Sequence, residues 1–210
     1  MKKTILSVRW ILLFLLLLGL VGRVTGEERL QVLRVKDGFN LQQDLAEWAQ
    51  KSAGYHLYSS GDGLSLRLYT GLDEHFLYLG FAVKDPFLTF QDDYSLDFQK
   101  SDHLRVTLFS SAREEEAVTL YLLPTSKIRE PLFNISGGSL QRQAVKVHSI
   151  LNKDSYFIAV ALSLDELELT PRRGVKLPLQ IMINDLTKSG EVRKYWVFSN
   201  NAHGYGLLYF

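Results

Sequence analysis

The chain has 210 residues, of which 46% are hydrophobic and 22% charged. That is the balance of one globular domain with a core, and it leaves no room for a second catalytic domain. A formal net charge of +1, with basic and acidic residues interspersed, lacks the broad positive field that neutralises phosphate, so nucleic acid is excluded as a partner. No cysteine is present, which excludes disulfides, thiolate metal sites and a cysteine nucleophile and leaves cohesion to the core.

In chain order, Lys2, Lys3 and Arg9 precede an apolar run from Trp10 to Val21, and Val24-Thr25-Gly26 offers small or modest side chains for cleavage. This is the pattern of a secretory signal, and the run is short against the ~20 residues that span hydrocarbon. The expectation is a cleaved signal peptide over residues 1–26, a mature domain over 27–210 with no integral membrane span, and a secreted or periplasmic location. Cleavage after Gly26 removes four cations and no anion, leaving a mildly acidic chain.

Asn40 can cap a short amphipathic helix over Leu41–Ala53, with Leu41, Leu45 and Trp48 on one face and Gly54 as a stop signal. Trp48 is then expected in the core. Beyond it the dominant period is two: Leu64, Leu66 and Leu68 alternate with Ser65 and Arg67, and Leu104, Val106 and Leu108 with Arg105 and Thr107. Such alternation marks half-buried strands. Similar segments at Leu30–Val35, Phe76–Val83, Val118–Leu123, Val145–Leu151, Tyr156–Leu162, Val175–Ile183, Val192–Phe198 and Gly206–Phe210 are separated by turn-forming clusters. That spacing predicts an all-β, antiparallel β-sandwich. The runner-up is an outer-membrane barrel, from the terminal Phe210 and the alternating Tyr205, Leu207 and Tyr209. Ser163-Leu164-Asp165-Glu166 has capping-box spacing and predicts a single helical turn. Asp85–Ser101 and Pro124–Gln143 are expected to be the least structured parts, and insertions of that kind tend to carry binding residues.

Catalytic patterns are missing. None of His56, His75, His103, His148 and His203 has the i, i+4 partner and intervening glutamate of a zinc protease helix. No Gly-x-Ser-x-Gly elbow occurs, and Ser136-Gly137-Gly138-Ser139 reads as a turn. Asp92-Asp93 alone does not make the paired carboxylates of glycoside hydrolysis, and Glu114-Glu115-Glu116 reads as a solvated hairpin tip. The chain is therefore expected to bind and not to catalyse.

Three segments, in order, carry a resemblance. The first is Phe76-Leu77-Tyr78-Leu79-Gly80-Phe81-Ala82-Val83-Lys84-Asp85-Pro86, followed by Ser101-Asp102-His103-Leu104-Arg105-Val106. The second runs from Tyr156 to Leu167 and on through Gly174 to Ile181-Met182-Ile183-Asn184-Asp185. The third, weaker, is Asp37-Gly38 before Trp48, with Gly204-Tyr205-Gly206-Leu207 at the end. Together they resemble family 9 carbohydrate-binding modules over nearly all of the mature chain. The resemblance implies a β-sandwich related to the haem-binding DOMON sandwiches, and a glycan as ligand.

In the family's sugar-binding members two tryptophans hold the sugar. Here Phe98 falls near the first clamp position, while Ser199–His203 supplies Asn200, Asn201 and His203 with no tryptophan. Arg105 stands where those members carry an acid, and Met182 where they carry an amide. An unpaired, desolvated hydroxyl costs about 1–3 kcal/mol, so a standard sugar site is expected to be altered. The ligand patch implied has Tyr94 and Phe98 on one side and Asn200, Asn201 and His203 on the other. Arg105 favours an anionic sugar or an acidic protein surface. Trp196 alternates with Tyr195, so one of these rings must point outward as a stacking platform.

Asp85, Asp102 and Asp185 are candidate calcium ligands. They and Asn184 lie at strand ends, where short polar side chains also cap backbone amides. Two other readings remain: an envelope protein as partner of a sandwich that has lost its sugar site, and a haem sandwich using Met182. That residue lies within a strand and is expected to fill the core.

Overall fold

A computed structural model describes residues 28–36, 38–90, 98, 100–109, 117–125, 132–199 and 204–210. In chain order these form β1 (Arg29–Gln31), β2 (Leu33–Arg34), the helix α1 (Leu45–Lys51), β3 (Ala53–Ser59), β4 (Ser65–Leu72), β5 (Phe76–Lys84), β6 (His103–Phe109), β7 (Ala117–Leu123) and β8 (Leu132–Ser136). Then follow β9 (Val145–Leu151), β10 (Ser155–Ser163), β11 (Lys176–Leu186), β12 (Val192–Trp196) and β13 (Gly206–Tyr209). The turn read at Ser163 is present, with the Glu166 amide donating to the serine Oγ at 3.4 Å. No helix among the described residues is long and apolar enough to cross a membrane.

The strands make two sheets. The seven-stranded sheet runs β1-β13-β11-β6-β7-β8, with β12 also paired to β11; the six-stranded sheet runs β2-β4-β5-β10-β9, with β3 on β4. Most pairs are antiparallel, while β1–β13 and β2–β4 are parallel. The eleven residues of β11 serve three neighbours. Its first half pairs with β13 and its second half with β12, while β6 lies along the other side. This is a sandwich, and the barrel alternative falls because the strands divide between two sheets.

Alternation decides which residues enter the core. Leu66, Leu68, Leu77, Leu79, Phe81 and Val83 from the six-stranded sheet meet Leu104, Val106, Leu120, Leu179, Ile181 and Ile183 from the other in one apolar cluster. Burying such side chains contributes about 1.5–3 kcal/mol each, which is how a chain without disulfides holds together.

A second cluster covers the outer face of the six-stranded sheet. The helix is shorter than the sequence suggests, because Asp44 and not Asn40 caps it: Asp44 Oδ1 accepts from the Glu47 amide at 3.0 Å, while Asn40 Oδ1 accepts from the Gln42 amide in the preceding turn. Trp48 is fully buried, stacked on Phe39 at 4.4 Å between ring centres and edge-on to Phe157 at 5.4 Å. Gly80 permits this approach, since a Cβ there would lie 2.9 Å from both Trp48 and Phe157. Two strands escaped the sequence reading. β3 fell where the helix was expected to end, and β8 within a segment expected to be loop.

Gly80→Ala is expected to lower the unfolding free energy by ~1–3 kcal/mol through overpacking, read as a shifted urea midpoint with an unchanged slope.

Candidate functional site

The pleat sends alternate residues to opposite faces, and at one end of the sandwich this makes two sites back to back. Asp85 follows the inward Val83 by two, Asp102 precedes the inward Leu104 by two, and Asp185 follows the inward Ile183 by two. The three side chains therefore close the sandwich end together, each buried, with carboxylate oxygens within 4.8 Å of one another. Asp102 Oδ2 accepts from the Thr89 amide at 2.5 Å and Oδ1 from the Leu186 amide at 2.6 Å, and Asp85 Oδ1 accepts from the Phe87 amide at 2.8 Å. Amide capping is thus realised, but dipoles do not neutralise three charges. Burial pushes Asp102 up to about 7 and raises Asp85 and Asp185 above the usual carboxylate range.

The Tyr156 hydroxyl belongs to the same cluster. It is buried without a hydrogen-bond partner, and burial and the three nearby carboxylates hold its proton on. Three carboxylates with a spare hydroxyl oxygen form an all-oxygen donor set, which suits a hard cation such as calcium. Solvent reaches Asp85 and Asp185 through a cavity of about 330 Å³, which Phe87, Lys188 and Arg193 also line.

On the other side of the same strand ends lies the outer face of the seven-stranded sheet, where His103, Met182 and Asn184 are nonetheless buried. Cross-strand pairing sets Trp196 beside Met182, Met182 beside Arg105, and Arg105 beside Tyr121; the next row sets Lys194 beside Asn184 and Asn184 beside His103. Paired residues point to the same side, so these seven make one outward patch. A cavity of about 570 Å³ is lined by His103, Arg105, Tyr121, Met182, Asn184 and Lys194, with Phe98 at its border. The Phe98 ring lies 4.8 Å from Tyr121 and 5.4 Å from His103, centre to centre.

Two donors in this cavity lack partners. Arg105 Nε and Asn184 Nδ2 are buried and make no hydrogen bond. The Arg105 guanidinium carbon lies 5.9 Å from the centre of the Tyr121 ring, so the ring backs it. His103 Nδ1 is 3.1 Å from the Ser101 carbonyl. A carbonyl only accepts, so Nδ1 carries the hydrogen and Nε2 keeps a lone pair in the neutral ring. Burial, then the charge of Lys194, hold His103 below its ordinary value and keep it neutral at pH 7. Trp196 is 41% exposed at the edge of the patch.

No family model and no curated protein matches the sequence. Solved structures match the fold. A family 9 carbohydrate-binding module from Caldicellulosiruptor kristjanssonii in complex with cellotriose superposes with a TM-score of 0.64 at 14% identity, over 87% of this chain and 93% of that one. The module with glucose gives 0.64 and 14%, over 87% and 95%. A protein from Bacteroides uniformis gives 0.57 and 9%, over 88% and 100%. The fold is family 9 carbohydrate-binding module-like.

Within that sandwich Phe98 and Arg105 border one cavity, and Trp196 is the outward ring of its pair, with Tyr195 turned inward at 5.4 Å from Tyr58. Tyr94, Asn200, Asn201 and His203 lie outside the described residues, as do Asp92, Asp93 and Glu114 to Glu116. Met182 is buried, as expected of a strand methionine, but its parity with Asn184 places it against the cavity and outside the inter-sheet cluster. His103, Tyr121, Asn184 and Lys194 were not read as one site from sequence. Each has the outward parity of its strand, but only the register between strands shows that they meet.

A pH and metal test follows from the acid cluster. In metal-free protein folded Asp102 keeps its proton to about pH 7, whereas the unfolded chain loses it in the ordinary carboxylate range, near 4. Stability contributed by that raised value is present in acid and lost as pH climbs through this window. Metal-free protein should therefore melt lower at pH 8 than at pH 5. Calcium needs the carboxylates deprotonated, so it should restore the melting temperature at pH 8 and do little at pH 5. Asp185→Asn should remove the calcium effect while sparing the amides that Asp102 caps; scanning calorimetry with and without chelator reads both.

Proposed function

We propose that the protein is an exported, non-catalytic carbohydrate-binding protein that takes a saccharide on the outer face of its seven-stranded sheet, between Phe98 and Trp196. One observation carries this reading: two residues with buried donors that lack partners, Arg105 at Nε and Asn184 at Nδ2, line a cavity bordered by aromatic rings. Each such donor costs about 1–3 kcal/mol while unpaired, and a ligand oxygen offsets that cost. Sugars present C–H faces that lie against rings and hydroxyls that meet a few fixed polar groups. His103 Nε2 supplies an acceptor beside the two donors. The likeness of fold to modules holding cellotriose and glucose supports the same reading.

Export rests on the basic start, the apolar run and Val24-Thr25-Gly26. Calcium in the acid cluster would fix the strand ends behind the face without touching the sugar.

Isothermal titration of the wild type with cellotriose, glucose and a panel of other oligosaccharides tests the binding claim. Phe98→Ala and Trp196→Ala should each weaken binding about tenfold or more, as loss of a stacked ring does, with far-ultraviolet circular dichroism unchanged. Silence of the wild type toward every saccharide would overturn the reading and leave an envelope protein as the partner to seek. N-terminal sequencing of the exported protein should begin near Glu27; a start at Met1 in a membrane fraction would refute cleavage.

A further inference from the structure

Among the described residues, the cavity on the outer face of the seven-stranded sheet is lined by charge of one sign. Of the described residues that line it, Arg105 and Lys194 are cations, Asn184 offers an amide donor, and there is no carboxylate. Neither cation has an ion-pair partner among the described residues. Arg105 is half-buried, its Nε has no hydrogen-bond partner, and its guanidinium is backed by Tyr121. A ring at this distance and partial burial limit where the guanidinium can point, and its planar fork can receive two oxygens side by side.

Resting on the carbohydrate-binding reading, we infer that the ligand is a carboxylated saccharide, a uronic acid at the end of or within a short chain, whose carboxylate pairs with Arg105. A neutral sugar laid over this residue strips water from a guanidinium and supplies no counter-charge, and an uncompensated buried charge is far more costly than an unpaired dipole. A carboxylate makes charge-assisted hydrogen bonds there, about twice as strong as neutral ones.

The neighbours suit the rest of such a sugar. Asn184 Nδ2 can donate to a ring or carboxylate oxygen. His103, with its hydrogen on Nδ1, presents a lone pair that accepts a hydroxyl hydrogen. A hydroxyl acceptor and a ring border beside a cation distinguish a sugar acid from a bare acidic peptide. Lys194 is exposed and adds attraction that salt screens.

The test is calorimetric titration of the full chain with four probes of matched length: oligogalacturonate, its neutral galacto-oligosaccharide counterpart, a sulfated oligosaccharide and an oligoglutamate peptide. The uronate should bind about tenfold or more tighter than the neutral sugar, from the strength of hydrogen bonds to charged groups. The margin should shrink as salt is raised. Arg105→Gln should erase the preference while leaving weak binding of the neutral sugar, and Arg105→Lys, which keeps charge but loses the fork, should fall between. Lys194→Gln should weaken uronate binding a few-fold with folding intact. Equal or tighter binding of the neutral sugar overturns the inference and leaves the carbohydrate reading standing. So does a preference for the sulfated probe. Equal binding of oligoglutamate shows that a carboxylate without a sugar suffices and overturns the inference as well. Silence toward all four overturns the inference alone if cellotriose, glucose or another saccharide binds, and overturns both if every saccharide is silent.

Discussion

The Asp102 carboxylate bridges the Thr89 and Leu186 amides at 2.5 and 2.6 Å, and the arrangement of both sites depends on it. One oxygen holds the segment that leads toward Phe98, the other holds the last residue of β11, and the Asp102 amide donates back to the Thr89 carbonyl at 2.7 Å. A short side chain thereby ties both ends of the 89–102 segment to Leu186, 84 residues further along the chain. The residues next along the chain, His103 after Asp102 and Asn184 before Asp185, turn the other way by the pleat and line the cavity on the outer face. Whatever fixes the acid cluster also fixes the row of groups on its far side.

The two sides are complementary in what they lack. Inside, three carboxylates crowd within 4.8 Å, and burial drives their protons back on unless a cation arrives. Outside, Arg105 and Lys194 gather around an unpaired amide with no described carboxylate among them. The protein does not cancel these charges against each other, because the sheet stands between them and the pleat aims them apart. Arg193 offsets part of the charge on Asp185, and the two sets of groups stay on opposite faces of the sheet.

Much of the sandwich was legible because period-two alternation is a local property: the strands around Leu66, Leu79, Leu104 and Ile181 follow directly from it. The helix start was misplaced because Asn40 and Asp44 are both good capping residues, and only the fold selects Asp44. β3 and β8 were lost for a different reason. Their sequences, with mixed aromatic, polar and small residues, are held as strands by pairing with β4 and β7. The acid cluster was readable from three aspartates at strand ends. The face of Met182 was readable too, since it shares the parity of Gln180 and Asn184 against the inward Leu179, Ile181 and Ile183; its apolar character pointed the other way. Register, which places His103 against Asn184, is non-local and has no sequence signal in a single chain.

The asymmetry between the two outer faces completes the account. An antiparallel sandwich leaves two outer faces to be covered or used. On the six-stranded sheet Gly71 and Gly80 remove the side chains that would hold the rings of Phe39 and Trp48 away: a Cβ would lie 2.3 Å from Phe39 at one position and 2.9 Å from Trp48 at the other. That part of the face becomes a second small core. The seven-stranded sheet has no such pair of glycines at its centre. It carries Arg105, Met182 and Asn184 there, and the Arg105 and Asn184 side chains each keep a buried donor without a partner. The two outer faces are thereby unlike: one carries a second aromatic core, the other a row of polar groups.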